Sequence, residues 1–420
     1  MKAREFQGNA HPVPGGWWSV VMLWALAIGF FVQISGKVWL VSGSGRNAQI
    51  YLWLLLPALI FSVYKVVTRK GPKPDLYYLP WALFLGWVAL STLWATDSDA
   101  NASSLAKRGL FIGLYLVAIH LLFNRQEVFF RRALLLGLVA VTVGALASLI
   151  YQYGFLQRPL AYRAFRIDRS GIGDIANYGW PVAAGIFHGA VATWVLGIAL
   201  DKRIGHRLAV FWLLCFAVLS LYVLLTYTRG AWIALMTSCA VAVIMHNNRR
   251  GWLLMASGLL ALLLAVFLWW DKLVFEATHR QLSGRGPIWD YFFSTMPGNW
   301  WFGHGLGTPF HYVWPNVKAV SPHAHSLYLQ QIYDSGLISL SLLTTGLLGL
   351  LYKVWILRNE PWVRLAFPSL IFALVAMLTD VERIFTRPGD YWTVFWLPVA
   401  VLLALPPRTK KPGLTACSSD

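Results

Sequence analysis

The amino-acid sequence predicts an all-α protein that crosses a membrane many times. Of its 420 residues, 58% are hydrophobic and only 12% are charged, which is about half of the charged share of a soluble domain. The mean hydropathy is +0.57, and the apolar residues come in long runs separated by short, mostly basic connectors. These observations place the chain in the membrane class and exclude an ordinary soluble enzyme.

Twelve apolar stretches are close to the length of about 20 residues that a membrane-spanning helix needs. In order they are Trp17–Ile34, Ala48–Val67, Leu76–Ala95, Leu105–Phe123, Ala133–Tyr153, Tyr178–Leu200, Arg207–Thr226, Ala231–His246, Gly251–Trp270, Gly336–Leu357, Val363–Thr379 and Tyr391–Leu405. We therefore expect about twelve transmembrane helices in a single membrane domain that covers residues 1–420.

Every second connector is short and basic. These connectors read "KVVTRKGPK", "NRQEVFFRR", "DKRIGHR", "HNNRR" and "LRNEPWVR", and the C-terminal tail adds "PPRTKK". Short loops rich in lysine and arginine stay on the cytoplasmic side of a membrane. Both termini are therefore predicted to be cytoplasmic, which agrees with the even number of spans.

Two connectors on the opposite side are longer, and both are expected to be functional because long ordered loops usually are. They cover residues 154–177 and 271–335. The first contains four arginines and two aspartates, namely Arg158, Arg163, Arg166, Arg169, Asp168 and Asp174. Guanidinium groups bind phosphate in a bidentate manner, so this loop is predicted to bind an anion. Contact with lipid headgroups and internal salt bridges are the alternatives.

A further arginine, Arg229, lies in "LLTYTRGAW" between two apolar runs. This position is expected at or within the outer interface of the membrane, where a charge is costly and marks a functional site by default. Snorkelling of the side chain to the headgroups is the alternative. Gly230 indicates tight packing around the arginine.

The loop of residues 271–335 contains the turn and following residues "SGRGPIW" near its start. Pro287 suits the first position of a helix. Ile288, Trp289, Phe292 and Phe293 then make an amphipathic stretch that we expect on the membrane surface.

The same loop ends in "SPHAHSLYLQ", where a helix is predicted to start near His325 or Ser326. The positive end of the helix dipole disfavours a charged imidazole, and a neutral imidazole can act as a general base. His325 is therefore the candidate base and His323 a supporting residue. The alternative is a histidine that only hydrogen-bonds within its loop.

No metal or other cofactor is expected. Four histidines of the long loop, His304, His311, His323 and His325, have no zinc-ligand spacing, and the three cysteines show no disulfide or zinc pattern. Asp97 and Asp99 could bind a metal, but capping of the next helix is the favoured interpretation.

The motifs "TYTRGAW", "SGRGPIW" and "HAHSLYLQ…GL", the last followed by a span, lie in the second half of the chain and resemble those of the O-antigen ligase and polymerase superfamily of bacterial envelope proteins. "STLWATDSD" and "RSGIGDIANYG" extend the resemblance into the first half. Within the superfamily, the ligases match best. The resemblance implies a glycosyltransferase of GT-C-like architecture in the Gram-negative inner membrane, with a periplasmic active site.

The resemblance also implies the substrates and the roles of particular residues. The donor is a glycan on undecaprenyl diphosphate, and the acceptor is a sugar hydroxyl of the lipid A–core of lipopolysaccharide. The transfer inverts the anomeric centre and uses neither metal nor nucleotide. The implied base is His325, the diphosphate-binding residues are Arg229, Arg285 and Arg169, and the supporting residues are His323, Arg163 and Arg166. The family's usual asparagine after the histidine is replaced by Ser326.

Three other functions stay open. An O-antigen polymerase is the nearest, but no arginine of the two long loops has the glycine spacing typical of polymerases. A protein O-oligosaccharyltransferase usually continues further beyond its last span. A transporter of anions or lipid-linked glycans requires charges within the spans, which are nearly absent here.

Overall fold

The structure, a computed structural model, describes residues 17–68, 75–275, 278, 284–315 and 319–406. Helices form most of it, as predicted. The α-helices are α1 (Trp17–Trp39), α2 (Gly43–Ile50), α3 (Leu56–Val67), α4 (Leu79–Leu90), α5 (Ala102–Arg125), α6 (Glu127–Leu149), α7 (Pro181–Ala199), α8 (His206–Leu225), α9 (Arg229–His246), α10 (Arg249–Leu268), α11 (Trp270–Phe275), α12 (Arg285–Thr295), α13 (Leu327–Ile356), α14 (Pro361–Ala376) and α15 (Leu397–Ala404). The described residues contain one small sheet, in which β1 (Tyr312–Val313) pairs antiparallel with β2 (Val320–Ser321).

Several helices are extended or joined by irregular turns. π-helical turns at Tyr51–Leu55, Ile150–Phe155 and Trp392–Trp396 connect α2 to α3, lengthen α6 and precede α15. Short 3₁₀ turns at Leu76–Tyr78 and Ser91–Trp94 flank α4. Such turns re-satisfy backbone groups where prolines or glycines interrupt a membrane helix.

The polytopic character is confirmed. Within the described residues, ten helical stretches are long and apolar enough to cross a membrane by length and composition. They correspond to the first ten predicted spans. The last two predicted spans coincide with shorter apolar helices, Pro361–Ala376 and Trp392–Ala404.

The core of the bundle forms around α7, which is buried along almost its whole length against α8, α9 and α14. Small residues permit the close helix crossings that membrane packing favours. A Cβ on Gly29 would lie 2.6 Å from the backbone nitrogen of Leu54, and one on Gly137 would lie 2.9 Å from the side chain of Ile34. By contrast α10 exposes almost all of its apolar surface, as a lipid-facing helix does.

The longer connectors meet at one end of the bundle, which we call the loop end. It holds residues 154–180, 284–315, 319–326 and 377–391. Backbone hydrogen bonds link these connectors to helix ends: Ile167 N donates to Leu225 O at 3.2 Å, and Leu327 N donates to Met377 O at 3.0 Å. The loop end is therefore an ordered surface built from segments far apart in sequence.

The sequence predictions for the turns around α12 and α5 need correction. Helix α12 begins at Arg285, so Pro287 occupies its third position rather than its first. Ile288 and Phe292 of α12 are buried with Phe310 of the same loop, whereas Phe293 is exposed. Helix α5 is capped by Asn101, whose side chain accepts from Ser103 N, and not by Asp97 or Asp99.

Candidate active site

The best-anchored cation of the loop end is Arg285, the first residue of α12. Its Nε donates to the carbonyl oxygen of Thr379 at 2.9 Å, and its Nη2 forms an ion pair with Asp380. The Asp380 side chain is only 4% exposed. Gly284 precedes the arginine with φ +79° and packs against Trp314, which leaves no room for a Cβ. Arg285 is therefore held by the connector that follows α14.

The same carboxylate lies against the start of α9. A Cβ at Gly230 would overlap the Asp380 carboxylate and would lie 2.8 Å from the Thr379 hydroxyl oxygen. The Thr379 hydroxyl in turn donates to Asp380 Oδ2 at 2.9 Å. The expected tight packing at Gly230 is thus present, and the partner is Asp380. Arg229, one residue earlier, begins α9 at this point.

The arginine-rich loop reaches this site through Arg166. The Nε of Arg166 donates to the carbonyl oxygen of Thr226 at 2.8 Å, and its Nη2 donates to the Thr228 hydroxyl at 3.3 Å. Both acceptors belong to the turn that leads into Arg229. The structure thus brings Arg166, which the sequence assigned only a supporting role, to the turn before α9.

The other arginines of the loop lie in different surroundings. Arg169 makes two 3.0 Å hydrogen bonds to its neighbour Asp168, and its side chain is 47% exposed. These bonds raise the pKa of Arg169 above its ordinary value. Arg163 is half-buried with φ +58°, and the Arg158 guanidinium lies 5.2 Å from the Phe165 ring centre.

The two histidines are held next to each other before α13. The backbone nitrogen of His325 donates to Nδ1 of His323 at 3.2 Å, and the ring centroids lie 4.1 Å apart. His325 has φ +52°, in the left-handed region. Helix α13 begins at Leu327, as the motif predicted, and Ser326 at its N-cap makes no side-chain cap bond. The short His323–His325 contact restricts the orientation of the candidate base.

His325 is neutral at neutral pH, but for a different reason from the predicted one. Burial lowers its pKa to about 4, with smaller contributions from His323 and Arg285 and an opposing one from Asp380. The pKa of His323 is also lowered to about 4, chiefly by burial and then by the charge of Arg383. These contributions, together with the backbone hydrogen bond from Leu327 N to Met377 O, indicate that the candidate base lies near the connector that pairs with Arg285.

A network of buried polar side chains holds the segment that carries His323 and His325. Oε1 of Gln330 accepts from the backbone nitrogen of Ala324 at 2.9 Å, and its Nε2 donates to Asp334 Oδ1 at 2.9 Å. Arg383 then binds both oxygens of Asp334, at 2.5 and 3.0 Å. Gln330 and Asp334 are almost completely buried. The segment that carries His325 is therefore tied to the connector after α14.

Helix α13 breaks at Gly336, directly after this network. Gly336 has φ 72° and ψ −179°, and a Cβ there would overlap the carbonyl group of Trp301. Beyond the break, Leu337 N donates to Trp300 O at 2.8 Å. Before it, the Ser335 hydroxyl lies 2.8 Å from that of Ser91 on the turn after α4. The break separates a short helix, residues 327–335, from the span that follows.

His304, another histidine of the long loop, has different partners from this pair. Nε2 of His304 lies 3.1 Å from the carbonyl oxygen of Thr295, and its ring packs 4.5 Å from that of Tyr333. Within the described part of the chain, no three histidine, cysteine, aspartate or glutamate side chains are grouped as metal ligands.

Sequence reasoning missed the connector that follows α14, which supplies Asp380 and Arg383. It reads "TDVERIFTRPGD" and alternates acids and arginines immediately after an apolar run. A charged connector on the same side as the arginine-rich loop was the available signal.

Comparison with known proteins confirms the resemblance inferred from the motifs. Residues 214–344 match a protein-family model described as "O-Antigen ligase". This range contains Arg229, Arg285, His323 and His325. The chain is also 25% identical over 383 residues to the "O-antigen ligase" of Pseudomonas aeruginosa strain PAO1. The aligned region covers 91% of this chain and 90% of the relative.

Proposed function

We propose that this chain, which carries an O-antigen ligase domain and resembles such a ligase along most of its length, joins a lipid-linked glycan to the lipid A–core of lipopolysaccharide. The donor in this proposal is a glycan on undecaprenyl diphosphate. The reaction takes place at the loop end, which faces the periplasm of a Gram-negative bacterium.

The observation that carries the proposal is the meeting of separate segments at Asp380. Arg285 pairs with this carboxylate, Gly230 and the start of α9 lie against it, and it influences the titration of His325. This arrangement supports a site that combines a general base with fixed guanidinium groups. Transfer from a diphosphate without a metal can use both.

In the proposed reaction, His325 takes the proton of an acceptor hydroxyl while the hydroxyl oxygen attacks the anomeric carbon of the glycan. The bond between that carbon and the diphosphate oxygen breaks, and undecaprenyl diphosphate leaves with the electron pair. Attack from the opposite side inverts the anomeric configuration. Arg285, Arg229 and Arg166 stabilise the charge that develops on the leaving diphosphate, since fixed donors act strongly in a partly desolvated site.

The assignment of the base is tested with the purified protein, undecaprenyl diphosphate-linked glycan and lipid A–core. We expect the wild type to produce a ladder of higher-mass lipopolysaccharide on gels. His325→Ala should lower the rate by about 100-fold or more, which is within the range that general bases supply, while donor binding is retained.

A matched control is His304→Ala. His304 lies in the same loop but is engaged with Thr295 and Tyr333, so this variant should keep most of the activity if it folds. Transfer by His325→Ala at the wild-type rate would overturn the base assignment, and the absence of any ladder with the wild type would overturn the proposed function.

A further inference from the structure

A second group of cations lies at the loop end, on the far side of the connector after α14. It consists of Lys37, Arg46, Arg108 and Arg387, which we call the cationic pocket. No function has been assigned above to any of these residues.

Contacts between α1 and α2 place the first two members together. The side chain of Arg46 packs on α1, because a Cβ at Gly36 would lie 3.1 Å from its Cγ. Lys37 is the next residue of α1. Lys37 and Arg46 line a cavity of about 230 Å³, together with Asp174 and Asn177 of the arginine-rich loop and residues of the α1–α2 turn.

The connector after α14 brings the other two members to the same region. Nη2 of Arg387 donates to the Ser104 hydroxyl at 2.9 Å, and Arg108 lies one turn further along α5, on the same face of the helix. Arg387 also lines a second cavity of about 210 Å³ with Asp390.

Asp390 connects the two halves of the pocket. The preceding carbonyl oxygen, of Gly389, accepts from Gln33 Nε2 at 3.1 Å, and Gln33 lies one helical turn before Lys37. Burial raises the pKa of Asp390, while Lys37 and Arg46 oppose this shift. Asp390 thus lies near cations of both halves of the pocket.

Among the described residues, the cationic pocket differs from the rest of the loop end in lacking a direct ion pair, although Asp174, Asp390 and Glu382 lie near its cations. Arg169, Arg285 and Arg383 each pair with a carboxylate. Among the residues that the structure describes, no carboxylate lies within 4.0 Å of a cationic nitrogen of the pocket. The Nε atoms of Arg46 and Arg108 are buried without a hydrogen-bond acceptor, as is the Thr386 hydroxyl.

Lys37, Arg46 and Arg108 are half-buried, and Arg387 is exposed. Guanidinium nitrogens that are buried without an acceptor are unfavourable, so this arrangement suits a site for an anion. We propose that the cationic pocket binds the phosphate or carboxylate groups of the acceptor glycolipid, while the arginines around Asp380 bind the donor diphosphate. This inference rests on the proposed function.

The position of the pocket supports this division of tasks. The connector after α14 runs from Asp380, beside Arg285, to Asp390 at the pocket. One face of the loop end can thus hold two anionic lipids side by side, with His325 at the donor side. An acidic lipid A–core has negative charges near its acyl chains, which suits cations at the ends of membrane helices.

The experiment measures binding of lipid A–core to the full-length protein in nanodiscs of phosphatidylcholine, without donor. We expect Arg46→Gln and Arg108→Gln each to weaken binding about tenfold or more, because each removes a charge-assisted hydrogen bond. Lys107→Gln is the matched control, since it removes an exposed charge next to Arg108 on α5 and should leave binding unchanged.

Three further measurements separate the possible results. Chemically dephosphorylated lipid A–core should bind the wild type as weakly as the variants bind the intact lipid. In turnover, the variants should raise the KM for the acceptor and leave the KM for the donor within about twofold. Thermal unfolding identifies any variant that fails to fold. If Arg108→Gln fails to fold, Arg46→Gln, at the margin of the bundle, tests the proposal alone.

Unchanged binding in both variants would overturn the inference, and so would a rise confined to the KM for the donor. Competition by phosphatidylglycerol as strong as by lipid A–core would also overturn it, by assigning the pocket to membrane phospholipid. If the wild type binds lipid A–core through these arginines but makes no ladder, this result contradicts the proposed function but not the pocket.

Discussion

At the scale of single residues, the arginines of the loop end differ in what holds them. Arg285 and Arg383 are fixed by buried aspartates, Asp380 and Asp334, and Arg166 by backbone and hydroxyl oxygens next to α9. Arg169 has only an exposed pair with its sequence neighbour. A guanidinium group fixed before the substrate arrives loses less entropy on binding, so the fixed arginines are the better candidates for binding the diphosphate.

This difference predicts unequal effects of two matched substitutions. Arg166→Gln should lower kcat/KM for transfer about tenfold or more, because it removes a positioned charge beside Arg229. Arg169→Gln should change it by less than about threefold, since exposed ion pairs contribute little. Initial rates at varied donor concentration measure both, and equal losses would show that Arg169 also contacts the donor.

The lowered pKa of His325 predicts the pH dependence of transfer. A general base must be unprotonated, and burial places the pKa of this imidazole at about 4 instead of its ordinary value. The neutral form therefore persists down to about pH 5 and is lost only as the pH falls through about 4. We expect kcat/KM to be flat between about pH 7 and pH 5. A fall in kcat/KM centred near pH 6.5 would contradict the buried, neutral base.

At the scale of elements, the short helix of residues 327–335 and the connector after α14 together position the histidines. The helix starts against Met377, carries Gln330 and Asp334, and ends at the Gly336 break. Within the connector, Arg383 binds Asp334 of the short helix, and Asp380 binds Arg285. Because these contacts join the two elements, a change at either one is expected to move His325.

Gly336 gives a direct test of this arrangement. Gly336→Ala should destabilise the protein by about 1–3 kcal/mol, since it forces a side chain into the left-handed region against the Trp301 carbonyl group, and it should lower the rate of transfer. Gly349→Ala on the same helix is the control, because its nearest neighbour lies 3.7 Å away and helical alanine is favoured over glycine. Thermal unfolding in detergent compares the two, and equal stability would contradict a strict requirement for glycine at the break.

At the scale of the whole molecule, both ends of the bundle carry positive charge. At one end the positive charge lies in the short basic connectors. At the loop end it lies in arginines that are paired or fixed, and in the cationic pocket. The orientation bias acts on short basic loops, so the loop end is expected to lie outside the cytoplasm in spite of its arginines.

Cysteine labelling tests this orientation. In a chain carrying Cys417→Ser, Leu160→Cys at the loop end should react with a membrane-impermeant maleimide in intact spheroplasts. Lys202→Cys at the opposite end should react only after the membrane is opened. Both positions are exposed, so reagent access is matched. Labelling of Lys202→Cys in intact spheroplasts would reverse the proposed topology.

The sequence alone determined the helical membrane fold, the number and order of the apolar runs, and the segments that contain Arg229, Arg285 and His325. These features depend on the length and polarity of local runs and on residue types at short spacing, which are read directly along the chain. Only the tertiary structure decided that Arg166 rather than Arg169 reaches the turn before α9, and that burial keeps His325 neutral. It also decided that Asp380 meets Arg285, which is 95 positions away. Such contacts join helix ends that are distant in sequence, and their geometry follows from how the whole bundle packs.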